Sequence, residues 1–388
     1  MSTFFSFFYI YDPWFWHVFR TGFAVGVIAL VWLVFRLYKR SENGIFLPID
    51  SLAVWGALLL IAVIPVIAHG SGDLTTLKMY PKGFMLFVLG IVIYHLCYRK
   101  ENAQARLVCD LQIGIGVQAF VGFFALAGVP FMIDFALASN AVFPKFYGSE
   151  QEYRLYNFTS SGFFQLSIFY LMLLHFLLAY NQKHNNISSI WLFLLLFIGL
   201  ISGRTFLMFS VVSILIYFKW RYLPALLAFL GMCIFFATQF TQHPYVEHAL
   251  EPLINLIYGK GTLSSSTDTL MQRHLFIPEL KQILVGDGFY FYPQGGYYGG
   301  TDSGFLRQLL FGGIGYLIAC FLFTAYFVRR IAQNWFDDSW KFTLSTLALL
   351  SILNVKADTY AYPAAMMGLL CFLSLFGQAG KNRLIFAK

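Results

Sequence analysis

Residues 187–218 read ISSIWLFLLLFIGLISGRTFLMFSVVSILIYF. Two apolar arms, Ile187–Ile201 and Phe206–Phe218, flank Ser202-Gly203-Arg204-Thr205, and both begin at basic signals, Lys183-His184 before them and Lys219-Trp220-Arg221 after. At ~1.5 Å per residue, arms of 15 and 13 residues rise only about 20–22 Å, short of a ~30 Å hydrocarbon core. The pattern predicts two short membrane helices whose joining turn lies below the surface they approach. An arginine at that depth is costly unless it faces a cavity or a partner. Snorkelling of Arg204 to headgroups is the ordinary alternative, but it would not require both arms to be short.

The rest of the chain extends this pattern. Of 388 residues, 59% are hydrophobic, 20% aromatic and only 11% charged, where a soluble domain carries about 45–50% apolar and about 25% charged residues. That composition excludes a soluble globule, a disordered chain and a disulfide-stapled secreted domain. It predicts one all-α polytopic membrane domain over residues 1–388. Candidate spans are Val18–Phe35, Ser51–Ala68, Gly83–Tyr98, Leu107–Gly128, Phe163–Tyr180, Ile187–Ile201, Phe206–Phe218, Leu223–Phe240, Gly304–Val328, Phe342–Val355 and Pro363–Gly377, eleven in all. The net charge of +8 is concentrated on alternate turns, which the positive-inside rule places in the cytoplasm. The N-terminus then falls outside, with Met1–Phe19 as an interfacial aromatic segment rather than a cleaved signal peptide. The five cysteines lie in apolar runs without CxxC spacing and read as small buried hydrophobes.

Two outer connectors, residues 129–162 and 241–303, are long enough to carry function on a rigid scaffold. In the larger one, a helix is expected to begin after Ser264-Ser265-Ser266-Thr267-Asp268, to contain Arg273 and His274, and to bend at Pro278. Gly286-Asp287-Gly288 follows, then Tyr290, Tyr292, Tyr297 and Tyr298 among glycines, and Asp302 before the next span. Aromatic faces among glycines suit the C–H faces of sugar rings, although interfacial belts are aromatic too. The Gly-x-Gly lacks the strand and helix that a nucleotide site needs. Guanidinium forks match phosphate oxygens with two parallel hydrogen bonds. Arg204 and Arg273 are therefore expected to clamp one pyrophosphate, with Arg154 and Arg307 as further diphosphate-binding candidates. For the catalytic base, Asp302 and His274 are the candidates. A helix N-cap is the competing role for Asp302, and a turn position the simpler reading of Asp287. Asp50, His95, Asp110, His175, Lys356 and Asp358 are further polar residues at membrane depth, His175 reading as a satisfied core histidine. No Asp-x-Asp and no His/carboxylate cluster marks a metal site.

In their order, these segments resemble a known family. A short helix pair with Ser-Gly-Arg-Thr is followed by Arg273 in a large outer loop, Gly286-Asp287-Gly288, Thr301-Asp302-Ser303-Gly304-Phe305-Leu306-Arg307 and Gly312-Gly313-Ile314-Gly315. Together with Arg154-Leu155-Tyr156-Asn157-Phe158-Thr159 entering a span at Phe164, this resembles the Wzy O-antigen polymerase and O-antigen ligase superfamily of bacterial inner membranes. The resemblance implies a GT-C type glycosyltransferase without a cofactor, acting at the periplasmic face. Its implied partners are an undecaprenyl-diphosphate-linked oligosaccharide donor and acceptor, membrane lipid and a chain-length regulator protein, with no nucleic acid. Family arginines that bind the diphosphate correspond to Arg204 and Arg273. The ligase branch has His-Asn where this chain has Asp302-Ser303, which favours polymerase over ligase. The eleven-residue Arg-to-Gly step of some polymerases is not met here. A transporter or flippase is the rival class, but its matching broken helices in two halves have no counterpart in the first half of the chain.

Overall fold

The computed structural model describes all residues except 16–17, 41–43, 100, 141–142, 260–268, 379, 381 and 386–388. The architecture is overwhelmingly helical: α1 (Ser2–Tyr11), α2 (Thr21–Tyr38), α3 (Ile49–His69), α4 (Thr75–Tyr98), α5 (Ala103–Leu126), α6 (Pro130–Ser139), α7 (Phe163–His184), α8 (Ser189–Ser202), α9 (Arg204–Ile216), α10 (Leu223–Gln239), α11 (Pro244–Ala249), α12 (Glu251–Ile257), α13 (Leu280–Val285), α14 (Gly304–Trp335), α15 (Trp340–Asn354) and α16 (Ala365–Leu373). Two small antiparallel ribbons pair β1 (Trp14–Phe15) with β2 (Phe19–Arg20), and β3 (Ile45–Pro48) with β4 (Asn382–Ile385). Among the described residues, seven helices are long and apolar enough to cross a membrane: α2, α3, α4, α5, α7, α10 with the turn that leads into it, and α14. The other runs expected as spans form shorter helices, α8, α9, α15 and α16.

The chain divides into two compact units, residues 1–35 with 92–264, and residues 36–91 with 265–388. In the first, α7 is the centre. Its sequence is apolar all round, and from Leu166 to Asn181 every residue is buried, as a helix without a polar face demands. His175 lies here with Nδ1 3.1 Å from Ser213 Oγ, a core histidine with a partner. Helices α8 and α9 pack on α7, and α5 packs on α1, α6 and α8. The aromatic N-terminal segment is not simply interfacial. Its helix α1 buries Phe5, Tyr9, Ile10 and Tyr11, and Thr3 donates to Asp110 of α5 at 2.6 Å.

A non-helical stretch before α7 is also buried, and its polar groups are met by side chains, as burial requires. Gln118 donates to the Phe158 carbonyl at 2.8 Å and accepts from its N–H at 2.7 Å, while Asn140 donates to the Ser161 carbonyl at 3.1 Å. Four cysteines are buried; Cys109, expected inside, is exposed on α5.

In the second unit, α14 is the spine, packed by α3, α13, α15 and α16. It breaks at Gly312 and Gly313, where φ is −141° and 69°. The break frees carbonyls that a continuous helix would use. Leu310 O accepts from Asp287 N–H at 2.6 Å and Phe311 O from Gly288 N–H at 3.0 Å. Gly286-Asp287-Gly288 is therefore the dock of a loop on a broken helix. Gly286 allows the approach, since a Cβ there would lie 2.7 Å from the Gly312 nitrogen. A Cβ on Gly313 would collide with the Leu284 carbonyl at a left-handed φ of 69°. Gly313→Ala is expected to cost about 2–4 kcal/mol, read as a lower melting temperature of the purified protein; an unchanged value would mean that the break is not required.

Candidate functional site

Two side-chain constellations stand out, one in each unit. In the first unit, Gly203 separates α8 from α9 with φ 151° and ψ 160°, so Arg204 starts a new helix instead of continuing the old one. Arg154 sits on the one-turn helix Glu152–Leu155. It donates from Nε to the Ser202 carbonyl at 3.2 Å and from Nη1 to Gln151 at 3.2 Å, with its guanidinium 4.4 Å from the Phe163 ring centre. A Cβ on Gly203 would lie 2.8 Å from Arg154 Nη2, so the glycine at the break is what admits this side chain.

Arg204 forms an ion pair with Glu251, the first residue of α12. Arg154 has no ion pair among the described residues. The Tyr153 hydroxyl shares a 2.9 Å hydrogen bond with His248 Nδ1 of α11. Burial lowers Arg154 to about 10, and the like charge of Arg204 adds to the effect; it remains cationic at neutral pH. Burial, reinforced by Arg204 and Arg154, lowers His248 from 6.5 to about 4. Two guanidiniums thus lie beside a neutral imidazole, with Glu251 paired to Arg204 and the charge of Glu150 also acting on Arg204.

The depressed His248 has a consequence for stability. The unfolded chain takes up this proton at a higher pH than the folded one, so stability present above about 6.5 is lost as pH falls toward about 4. His248→Gln keeps an acceptor for Tyr153 and is expected to flatten the acid slope of melting temperature between those limits. An undiminished slope would place the acid sensitivity elsewhere.

Beside this cluster lies a cavity of about 750 Å³. Tyr153, Ile201, Tyr245, Ala249 and Leu250 form part of its wall; Arg154 and Glu251 directly follow Tyr153 and Leu250 in the chain. Its remaining lining is almost wholly apolar. Phe120, Phe123, Phe236 and Phe240 are exposed lining residues on α5, α10 and just after, and they mark an open side.

In the second unit, Arg307 is buried in the first turns of α14. Its Nη1 meets Asp358 at 2.5 Å, Nε donates to the Thr301 carbonyl at 3.2 Å, Nη2 donates to the Asp302 carbonyl at 2.9 Å, and the guanidinium lies 3.3 Å from the Tyr297 ring centre. Every nitrogen is engaged within the protein. Arg307, expected to bind diphosphate, instead fixes the entry of this helix. Asp302 does not cap the helix either. Ser303 occupies the N-cap position without a side-chain hydrogen bond, and the Asp302 carboxylate turns to His274 Nε2 at 3.7 Å and Arg307 Nη2 at 3.8 Å. His274 Nδ1 lies 3.0 Å from the Gly300 carbonyl. The two base candidates, 28 positions apart in the chain (302 − 274), are one pair.

The tyrosines separate by burial. Tyr290 is 2% exposed and its N–H is held by Asp73 at 2.6 Å, so its ring is closed to any sugar, contrary to expectation. Tyr297 covers Arg307. Tyr298 stacks on Phe289 at 5.4 Å, and Tyr292, which is exposed, packs on Tyr298 at 5.1 Å.

Arg273 is exposed on a single wide turn, Leu270–His274, and the start of the helix expected around it, Ser264 to Asp268, lies outside the described residues. Arg204 belongs to the first unit and Arg273 to the second; within the first unit, the arginine near Arg204 is Arg154. Glu251, His248 and Tyr153 were missed in the sequence because they lie in segments with no motif. The one signal was Glu251-Pro252, an acidic residue and a proline opening a helix. Among the described residues, no group of three His, Cys, Asp or Glu side chains is gathered to hold a metal ion. No protein-family model, curated protein or solved structure matches the chain.

Proposed function

We propose that this chain is a GT-C type membrane glycosyltransferase of about eleven spans in a bacterial inner membrane. It would polymerise undecaprenyl-diphosphate-linked oligosaccharide repeat units at the periplasmic face, as Wzy-type polymerases do. The observation that carries the reading is the Arg154–Arg204 pair beside an apolar cavity with an open side. A prenyl diphosphate needs both: an apolar trough for the chain and, at its end, guanidiniums for the phosphates.

In this reading the acceptor hydroxyl attacks the anomeric carbon of the donor glycan and gives up its proton to solvent water. The bond from that carbon to the diphosphate oxygen breaks, and the electron pair leaves with the diphosphate. The two guanidiniums stabilise the charge that develops there, an electrostatic contribution that fixed cations in a poorly hydrated site supply well.

Purified protein given a synthetic undecaprenyl-diphosphate repeat unit is expected to produce a ladder of multiples. Transfer onto lipid A-core instead would make it a ligase, and neither product with several repeat units would return transport to first place. The cavity has its own test. Ala249→Trp fills the wall next to the charged cluster and is expected to raise KM for the lipid-linked donor about tenfold with little change in kcat, the pattern of lost ground-state binding. An unchanged KM would remove the cavity from the donor site.

A further inference from the structure

We infer that the end of the first unit at which α7 and α9 finish and α8 and α10 begin binds the headgroup of an anionic phospholipid. Arg221 takes the phosphate, and the site is separate from the glycan chemistry proposed above. The inference starts from a charge imbalance. Residues 153–246 contain no aspartate or glutamate, yet they carry Arg154, Lys183, Arg204, Lys219 and Arg221. At one end of these helices Arg204 is paired with Glu251, which lies beyond the stretch. At the other end no carboxylate of a described residue pairs with Lys219 or Arg221. Both basic turns there fall on the side that the positive-inside rule assigns to the cytoplasm, where anionic headgroups attract such residues.

Local folding holds the two cations together. Helix α7 ends at Asn185, whose φ of 55° is left-handed, and its last carbonyls need donors. Lys219 Nζ donates to the Asn181 carbonyl at 2.6 Å, the Gln182 carbonyl at 3.3 Å and Asn185 Oδ1 at 3.1 Å, which uses all three of its hydrogens. Arg221 Nη1 donates to the Asn185 carbonyl at 3.0 Å and to Asn185 Oδ1, and Nη2 to the Ile187 carbonyl. Every one of these acceptors is neutral, so the bonds fix both cations without discharging either. Partial burial, with the like charge of Arg221, lowers Lys219 from the usual lysine value. One edge of Arg221 is left over. Nε–H and the second Nη2–H meet no acceptor among the described residues, and these two neighbouring hydrogens form the fork that takes two phosphate oxygens.

The neighbouring residues decide the class of ligand. Trp220 is 79% exposed, and a tryptophan at a helix entry sits at headgroup level. Leu223, Leu227 and Leu230 are exposed too, at steps of four and three, so they form one apolar stripe along α10, a helix long enough to cross a membrane. A free phosphate would use the fork alone. A phospholipid uses both, with its phosphate on Arg221 and an acyl chain along the stripe. Lys219, and Lys183 in the last turn of α7, add charge that favours a net-negative headgroup over a zwitterionic one.

The wild-type chain provides the first test. Full-length protein in detergent micelles is titrated in separate arms with phosphatidylglycerol, phosphatidylcholine and inorganic phosphate, and the rise in melting temperature gives an apparent affinity. Phosphatidylglycerol is expected to raise the melting temperature saturably and the other two to leave it near its starting value. An equal rise with phosphatidylcholine, or no rise with phosphatidylglycerol, overturns the anionic site. The same rise with inorganic phosphate overturns the lipid as its occupant.

Two variants then place the effect. Arg221→Lys keeps the charge and loses the fork, and is expected to bind phosphatidylglycerol about tenfold more weakly. Arg36→Gln removes a basic residue from the last turn of α2 and is expected to bind as wild type. Each affinity is read against the variant's own lipid-free melting temperature, so a less stable variant still gives an answer. Wild-type affinity in Arg221→Lys, or an equal loss in Arg36→Gln, would make the attraction one of diffuse surface charge and overturn the site.

Discussion

Arg204→Lys is expected to stop chain extension almost completely, with a fall of about 10²–10³ in rate. Lysine keeps the charge and can still pair with Glu251, so the ion pair that joins α9 to α12 survives in kind and the fold should persist. What disappears is the planar fork that meets two phosphate oxygens at once. Arg154 cannot take over, because its Nε and Nη1 are committed to Ser202 and Gln151. The rate of ladder growth measures the effect, with the melting temperature as control. A rate within a few-fold of wild type would reduce Arg204 to a generic cation and remove the main support for a diphosphate clamp. Arg204→Ala is less informative, since it also strands Glu251.

Asp358→Ala is expected to be the most destabilising single change considered. Asp358 is fully buried and holds Arg307, itself 4% exposed, at 2.5 Å. Removing one partner of a buried pair leaves an uncompensated charge, at a cost of about 3–5 kcal/mol. Arg307 would keep its carbonyl contacts to Thr301 and Asp302 and the exposed Asp302 carboxylate at 3.8 Å, which limits the loss but does not replace a close, fully buried counter-charge. Thermal unfolding should shift down by more than about 6 °C. The double variant Arg307→Met, Asp358→Leu should recover most of that shift, because two apolar side chains leave no charge behind. If the double variant is as unstable as the single one, the carbonyl contacts of Arg307 matter more than its ion pair.

The sequence revealed what depends on local pattern. Composition and apolar run length gave a helical chain with membrane-length helices. The two short arms around Ser202-Gly203-Arg204-Thr205 gave the break between α8 and α9 and an arginine at it. Long-range pairing was less legible. Arg204 and Glu251 are 47 positions apart (251 − 204), and no periodicity relates a loop glutamate to an arginine at a helix break. Tyr290 and Tyr292 look equivalent in sequence, yet Asp73 pins the backbone of the first into the interior while the second stays outside. Gly286-Asp287-Gly288 and Gly312-Gly313 looked like separate motifs, but each supplies the hydrogen-bond partners that the other lacks. Local chemistry suggested Asp302 and His274 as rivals; folding made them neighbours.

The Arg204–Glu251 pair has a bearing on turnover. The site already holds a carboxylate from its own chain on Arg204 Nη1, so an anion that takes this nitrogen displaces Glu251. The reverse also holds: as a product anion departs, the tethered carboxylate returns, and release never exposes a bare guanidinium in a half-buried site. The competition weakens affinity for the anion, and the returning carboxylate favours its exit. Under the polymerase reading proposed above, such a site would have to discharge an anionic carrier after every addition and would gain more from easy exit than from tight binding.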